Sequence, residues 1–163
     1  MGRLTAVTTV AAVAAAAACS QGARHGDPPA GIVVVDAYAA EPVSRETGAV
    51  YLTLENRSDV PDTLVGAWSP VASMTHLHRM GGAGGAQMRT QDVAEIPAGG
   101  RLRLRPGGLH LMLMTITAMP HAGDTIDVTL EFRHAGTRTV RVPVVSYLEV
   151  SERATVGGQG ETQ

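Results

Sequence analysis

Between Gly31 and Val150 the apolar residues recur mostly at every second position, in short runs cut by Gly, Pro, Asn and Asp. That periodicity is the signature of half-buried β-strands, and helix-period stretches are nearly absent. It predicts strands at Ile32 to Tyr38, Ala49 to Glu55, Asp62 to Trp68, Ala72 to Met80, Gln87 to Thr90, Arg101 to Arg105, His110 to Ile116, Thr125 to Arg133 and Thr137 to Val145. Breakers such as Asn56-Arg57-Ser58, Pro97-Ala98-Gly99-Gly100, Pro106-Gly107-Gly108 and His134-Ala135-Gly136 separate them. Many short strands with turns at this spacing predict an all-β antiparallel sandwich of Greek-key type in a single domain. The chain has 163 residues, enough for one self-supporting domain and an export segment.

The flanks read differently. Leu4 to Ala18 are apolar or small, follow Arg3 and stop at Cys19, the layout of a signal peptide over residues 1–19. Fifteen residues at ~1.5 Å rise fall short of a ~30 Å hydrocarbon core, which disfavours a permanent transmembrane helix. Ala16-Ala17-Ala18-Cys19 resembles the lipobox of bacterial lipoproteins, which implies acylation of Cys19 and a lipid-anchored protein in the periplasm or on the outer face of the membrane. Cleavage after Ala18 that leaves a free thiol is the alternative. Residues 20–30, with Gly22, Gly26, Pro28 and Pro29, have the composition of a linker. Residues 31–150 form the expected domain. Residues 151–163 are polar and contain Gly157, Gly158 and Gly160, so they are expected to lack fixed structure.

Charge excludes one class of partner. Lys+Arg 13 against Asp+Glu 15 leaves a formal charge of -2, and the cations, all arginine, are scattered along the chain. Nucleic-acid phosphates call for a basic field that this composition does not supply. The domain also has no strand-Gly-rich-turn-helix of a nucleotide fold, no Gly-x-Ser-x-Gly elbow and no identifiable catalytic set, so no enzymatic role is assigned.

Six of the seven methionines and three of the six histidines lie between Met74 and Met119. For any one methionine, core filling is the ordinary explanation. Alternation argues for more. In Leu109-His110-Leu111-Met112-Leu113-Met114 the leucines take one face, which places His110, Met112 and Met114 together on the other. Met74, His76, His78 and Met80 form a second row at the same spacing, and Met88 follows a glycine-rich loop. Thioether sulfur and neutral imidazole without thiolate form a soft donor set suited to Cu(I), whereas structural zinc sites favour thiolates and calcium or magnesium favour carboxylates. Blue-copper electron transfer needs a cysteine in the site, and the only cysteine is Cys19.

Met88, twenty-one residues and His110-Leu111-Met112 reproduce the spacing of a known motif, and the resemblance extends to Gly48 through Asn56, Asp62 to Val65, Ile96 to Gly100 and Arg105 to Leu113. On these residues the chain resembles the PCuAC family of periplasmic copper chaperones. The resemblance implies a cupredoxin-like β-sandwich that binds one Cu(I) per chain and hands it to a copper-accepting metalloprotein, such as the copper site of cytochrome c oxidase during assembly or another assembly factor. It implies Met88, His110 and Met112 as ligands and a histidine about ten residues before Met88; the chain itself is expected to be a monomer. His76 leaves eleven intervening residues and His78 leaves nine. Leu77 before it and its proximity to the glycine loop favour His78, with His76 a substitute or extra donor. A metal-free interaction module with a methionine-rich face, or a copper storage or tolerance protein, would carry the same pattern. His121 and His134 read as turn residues.

Overall fold

The structure, a computed structural model, describes residues 31–81 and 87–157. The expected signal segment, linker and Cys19 lie outside the described residues. Ten strands follow one another: β1 Ile32–Ala40, β2 Thr47–Asn56, β3 Asp62–Trp68, β4 Ala72–Gly81, β5 Gln87–Thr90, β6 Ala94–Ile96, β7 Arg101–Leu104, β8 Leu109–Ile116, β9 Thr125–Phe132 and β10 Gly136–Val145. They hydrogen-bond in the order β5-β4-β8-β2-β1-β10-β9-β3-β6, with β7 also on β2. Every pairing is antiparallel except a short parallel junction of β1 with β10 at Ala39↔Val144 and Ala40↔Val145. That junction joins two layers. The β5-β4-β8-β2-β1 layer faces the β10-β9-β3-β6 layer, giving the antiparallel sandwich that alternation predicts, in the cupredoxin-like form that the family resemblance implies.

The core is the inward half of each alternating strand. Val50, Leu52 and Leu54 of β2, Leu77 of β4 and Leu109, Leu111 and Leu113 of β8 meet Leu64, Val128, Leu130 and Phe132 of the opposite layer. Fully burying such side chains contributes about 1.5–3 kcal/mol each. Thr115, with φ 52°, breaks the alternation of β8 in the left-handed region, and Ile116 is consequently buried although Leu113 already is.

Two elements depart from the sequence reading. The three-residue β6 is too short for alternation to reveal, yet it buries Ala94 and Ile96 and pairs with β3. Residues 151–157, expected to lack structure, continue an α-helix, α1 Tyr147–Gly157. Ser146 caps it, its Oγ accepting from Glu149 N at 3.3 Å, in the Ser-x-x-Glu arrangement of a capping box. Val150 is buried against Tyr38 and Val145, and the Arg153 guanidinium lies 4.8 Å over the Tyr38 ring while holding Glu149 at 2.7 Å. Tertiary packing therefore orders a segment whose composition alone argued against order. Residues 158–163 lie outside the described residues.

Candidate metal centre

Strand register brings the histidines and methionines of β4, β5 and β8 onto one outer face. Across β4 and β8, Met74 stands opposite Met114, His76 opposite Met112 and His78 opposite His110. Across β4 and β5, Met80 stands opposite Met88. Directly opposed residues share a face with Cβ atoms about 4.5–5.5 Å apart, and diagonal neighbours lie about 7–8 Å apart. His78 thus has His110 directly across, Met112 diagonal on one side and Met88 diagonal on the other. His76 is opposite Met112 and diagonal to His110, but Met88 lies two further positions beyond its reach along β4.

The two central imidazoles are held differently. His110 is 6% exposed and its Nδ1 lies 3.1 Å from Gly108 O. A carbonyl can only accept, so this contact assigns the proton to Nδ1 and leaves the lone pair on Nε2. A metal-binding histidine commonly has this arrangement, with the second ring nitrogen tied to the backbone. Tyr51 supports the ring from β2, with centroids 6.2 Å apart. His78 lies between His76 and His110, its ring 6.3 Å from each. Its Nδ1 is buried and has no hydrogen-bond partner among the described residues. An unpaired buried polar atom costs about 1–3 kcal/mol, a cost that a ligand can remove.

Burial holds the His78 ring below the ordinary histidine range, and the neighbouring His110 and His76 push in the same direction. The ring is consequently neutral near pH 7, the form in which imidazole donates to a metal. Among the described residues no three His, Cys, Asp or Glu side chains converge as a metal site. Met112 is half-buried beside the histidines, whereas Met88 is 45% and Met74 52% exposed.

Tyr51 and Gly108 are functional neighbours that motif spacing does not disclose. The alternation of Val50, Tyr51 and Leu52 carries a signal for the first, because two inward residues force the tyrosine outward. Gly108 acts through its carbonyl, which accepts Met80 N at 3.1 Å as well as lying beside His110. Backbone roles of this kind leave no side-chain pattern. His121 and His134 lie away from this face: His121 Nδ1 contacts Glu41 at 3.1 Å, and His134 N donates to Asp62.

Residues 32–144 match the sequence profile of the family described as "Putative lipoprotein LpqE-like". A relative from Leifsonia xyli subsp. xyli, described as "Putative lipoprotein Lxx21020", is 37% identical over 106 residues, which is 64% of this chain and 64% of that protein. The copper-bound PCuAC domain from PmoF2 superposes with a TM-score of 0.62 at 25% identity, covering 71% of this chain and 92% of that domain. The solution structure of apo-DR1885 from Deinococcus radiodurans gives a TM-score of 0.57 at 33% identity, over 91% of this chain and 99% of that one. These likenesses agree with the PCuAC resemblance read from the sequence.

Proposed function

The chain belongs to the LpqE-like lipoprotein family, and from that premise we propose that it is an exported, non-enzymatic Cu(I) carrier with His78, Met88, His110 and Met112 as ligands. The observation that carries this reading is the position of His78. It is the one residue of the β4 row that neighbours all three remaining donors, and its buried Nδ1 has no partner among the described residues. Two neutral imidazoles and two thioethers match the softness of Cu(I), and a solved structural neighbour is itself copper-bound. His76 serves as a secondary donor.

The cargo has to leave as well as arrive. Uncharged thioethers hold Cu(I) without a fixed anion, so an acceptor that offers thiolate or imidazole competes effectively. We assign the acceptor to a metalloprotein outside the cytoplasm, with the copper site of cytochrome c oxidase during assembly as the specific recipient. Cys19 is the proposed acylation site that keeps the monomeric carrier at the membrane. Among the described residues no helix is long and apolar enough to cross a membrane.

Anaerobic titration of the purified protein with Cu(I), followed by desalting and metal analysis, tests the reading. One retained equivalent per chain without an intense visible charge-transfer band is expected. No retained copper would overturn it, and retention without transfer to an oxidase copper-site fragment would make the protein a store instead of a donor.

A further inference from the structure

Beside the metal-binding face the sheet contains a notch. β2 pairs with β8 as far as Val50↔Leu111, and beyond that with β7, Leu52↔Leu104 through Glu55↔Arg101. Among the described residues β2 is the only strand that β7 pairs with. Asn56 N donates to Gly100 O at 2.9 Å. By the alternation of an antiparallel ladder, Leu102 and Leu104 then turn their backbone groups toward β2, while Arg101 and Arg103 turn theirs to the open side. An open strand edge is a template for another extended segment.

The charge of the notch identifies what fits there. A groove of about 480 Å³ runs along β7, lined among the described residues by Arg79, Arg101, Arg103 and Arg105. Arg101 is held by Glu55 at 3.0 Å and Arg79 by the neutral Gln91 at 2.8 Å. A chain of formal charge -2 thus gathers four arginines at one place. Residues two apart on a strand repeat every ~6.8 Å, so an extended partner with acidic residues at alternate positions would match Arg101 and Arg103 in register, with Arg105 just past the strand end, where its backbone N donates to Leu109 O at 2.7 Å. Guanidinium groups suit this role because their planar donors pair with carboxylates bidentately.

The groove also adjoins the metal centre. Gly108 lines it and lies beside the His110 ring through its carbonyl. We propose that this notch docks an acidic, extended segment of the protein that receives the copper, which would add to the open edge of β7 and place the acceptor beside His110. The identity of the partner as a copper acceptor rests on the carrier reading above; the acidic-segment site does not.

A fluorescent peptide of five alternating Glu-Thr pairs, titrated into the full-length protein in detergent with and without Cu(I), is the probe. Saturable binding at low salt, weakened at high salt, is expected. The double charge reversal Arg103→Glu/Arg105→Glu should weaken it by at least about tenfold while Cu(I) stoichiometry is unchanged. Arg138→Glu/Arg141→Glu on β10 changes the net charge equally and should alter affinity by less than about twofold. If charge reversal unfolds the protein, Arg103→Gln/Arg105→Gln takes its place with a loss of several-fold. Absent binding, equal losses in the β7 and β10 variants, or displacement by inorganic phosphate at the peptide's own concentration would each overturn the docking site. Peptide binding by a protein that retains no copper would sustain the acidic-segment site and remove the carrier reading alone.

Discussion

His78 and His110 stand directly opposite one another on β4 and β8 with ring centroids 6.3 Å apart, yet among the described residues only His110 has a partner for its Nδ1. One imidazole is oriented by the backbone, and the other is half-buried with a buried Nδ1 that has no partner among the described residues. The pair is asymmetric before any ion arrives, with His110 fixed by the Gly108 carbonyl and His78 held by strand packing and by the proximity of two other histidines.

This asymmetry predicts a titration. His78 should protonate below the ordinary histidine pKa of about 6.5, because burial and then the two neighbouring imidazoles disfavour its cation. The unfolded chain binds that proton more readily, so the metal-free fold should lose stability as pH falls below about 6.5. NMR titration of the metal-free protein checks it, and a His78 ring that titrates at or above the ordinary value would contradict the packing described.

Met112→Leu separates coordination from packing. The swap conserves volume and costs under ~1.5 kcal/mol even in a core, and Met112 is only half-buried. Losing an outer-shell partner alone typically weakens a metal site about 10–100-fold, so losing a ligand should cost at least as much. Thermal unfolding should therefore change little while Cu(I) affinity, measured by chelator competition, falls by at least about tenfold. Equal affinity with lowered stability would return Met112 to the role of core filler.

Asp62 tests the opposite end of the β9–β10 hairpin. Its carboxylate accepts from Thr63 N at 2.7 Å, His134 N at 3.0 Å and Ala135 N at 2.9 Å. Burial alone would raise its pKa, but the three amides outweigh it and hold the carboxyl below the usual range. A depressed pKa stabilises the fold above the unfolded carboxylate value of about 3.9 and loses that contribution as pH falls through the folded value. Asp62→Ala should destabilise by about 2–3 kcal/mol near pH 7, and the difference from the parent should shrink in acid. Denaturant unfolding at both pH values measures it; a difference independent of pH would exclude the charged form as the stabilising one.

Alternation made the outer face legible because Leu109, Leu111 and Leu113 are unambiguous core residues, and their intervening neighbours could only point away. It could not distinguish His76 from His78, which occupy the same face of the same strand. What separates them is the register that sets Met88 opposite Met80, a pairing decided across the glycine-rich connection and invisible to spacing along one strand. Helix α1 had a local signal in Ser146-Tyr147-Leu148-Glu149, outweighed in the sequence by the glycines that follow. Its decisive contact, Val150 against Tyr38, joins residues over a hundred positions apart. Thr115 adopts a positive φ without the glycine that would have announced it, so the burial of Ile116 had no sequence marker.

The first ligand can be assigned by comparing two alanine variants. His78→Ala should lower Cu(I) affinity more than His76→Ala, because only His78 has His110 opposite and both Met112 and Met88 as diagonal neighbours. The two histidines are one strand repeat apart, ~6.8 Å, while ligand bonds to a metal are ~2 Å, so a single ion cannot sit equally close to both without a bend in the strand. The register of β4 with β8 runs without a shift from Ala72↔Ile116 to Arg79↔Leu109. Removing His78 also removes the buried unpaired nitrogen, so the metal-free variant should hold its stability better than loss of a half-buried side chain ordinarily allows. Chelator competition on both single variants and the double variant decides the matter, with thermal unfolding alongside. A larger loss for His76→Ala would move the centre one repeat along β4, and an unchanged affinity in the double variant would remove that strand from the site.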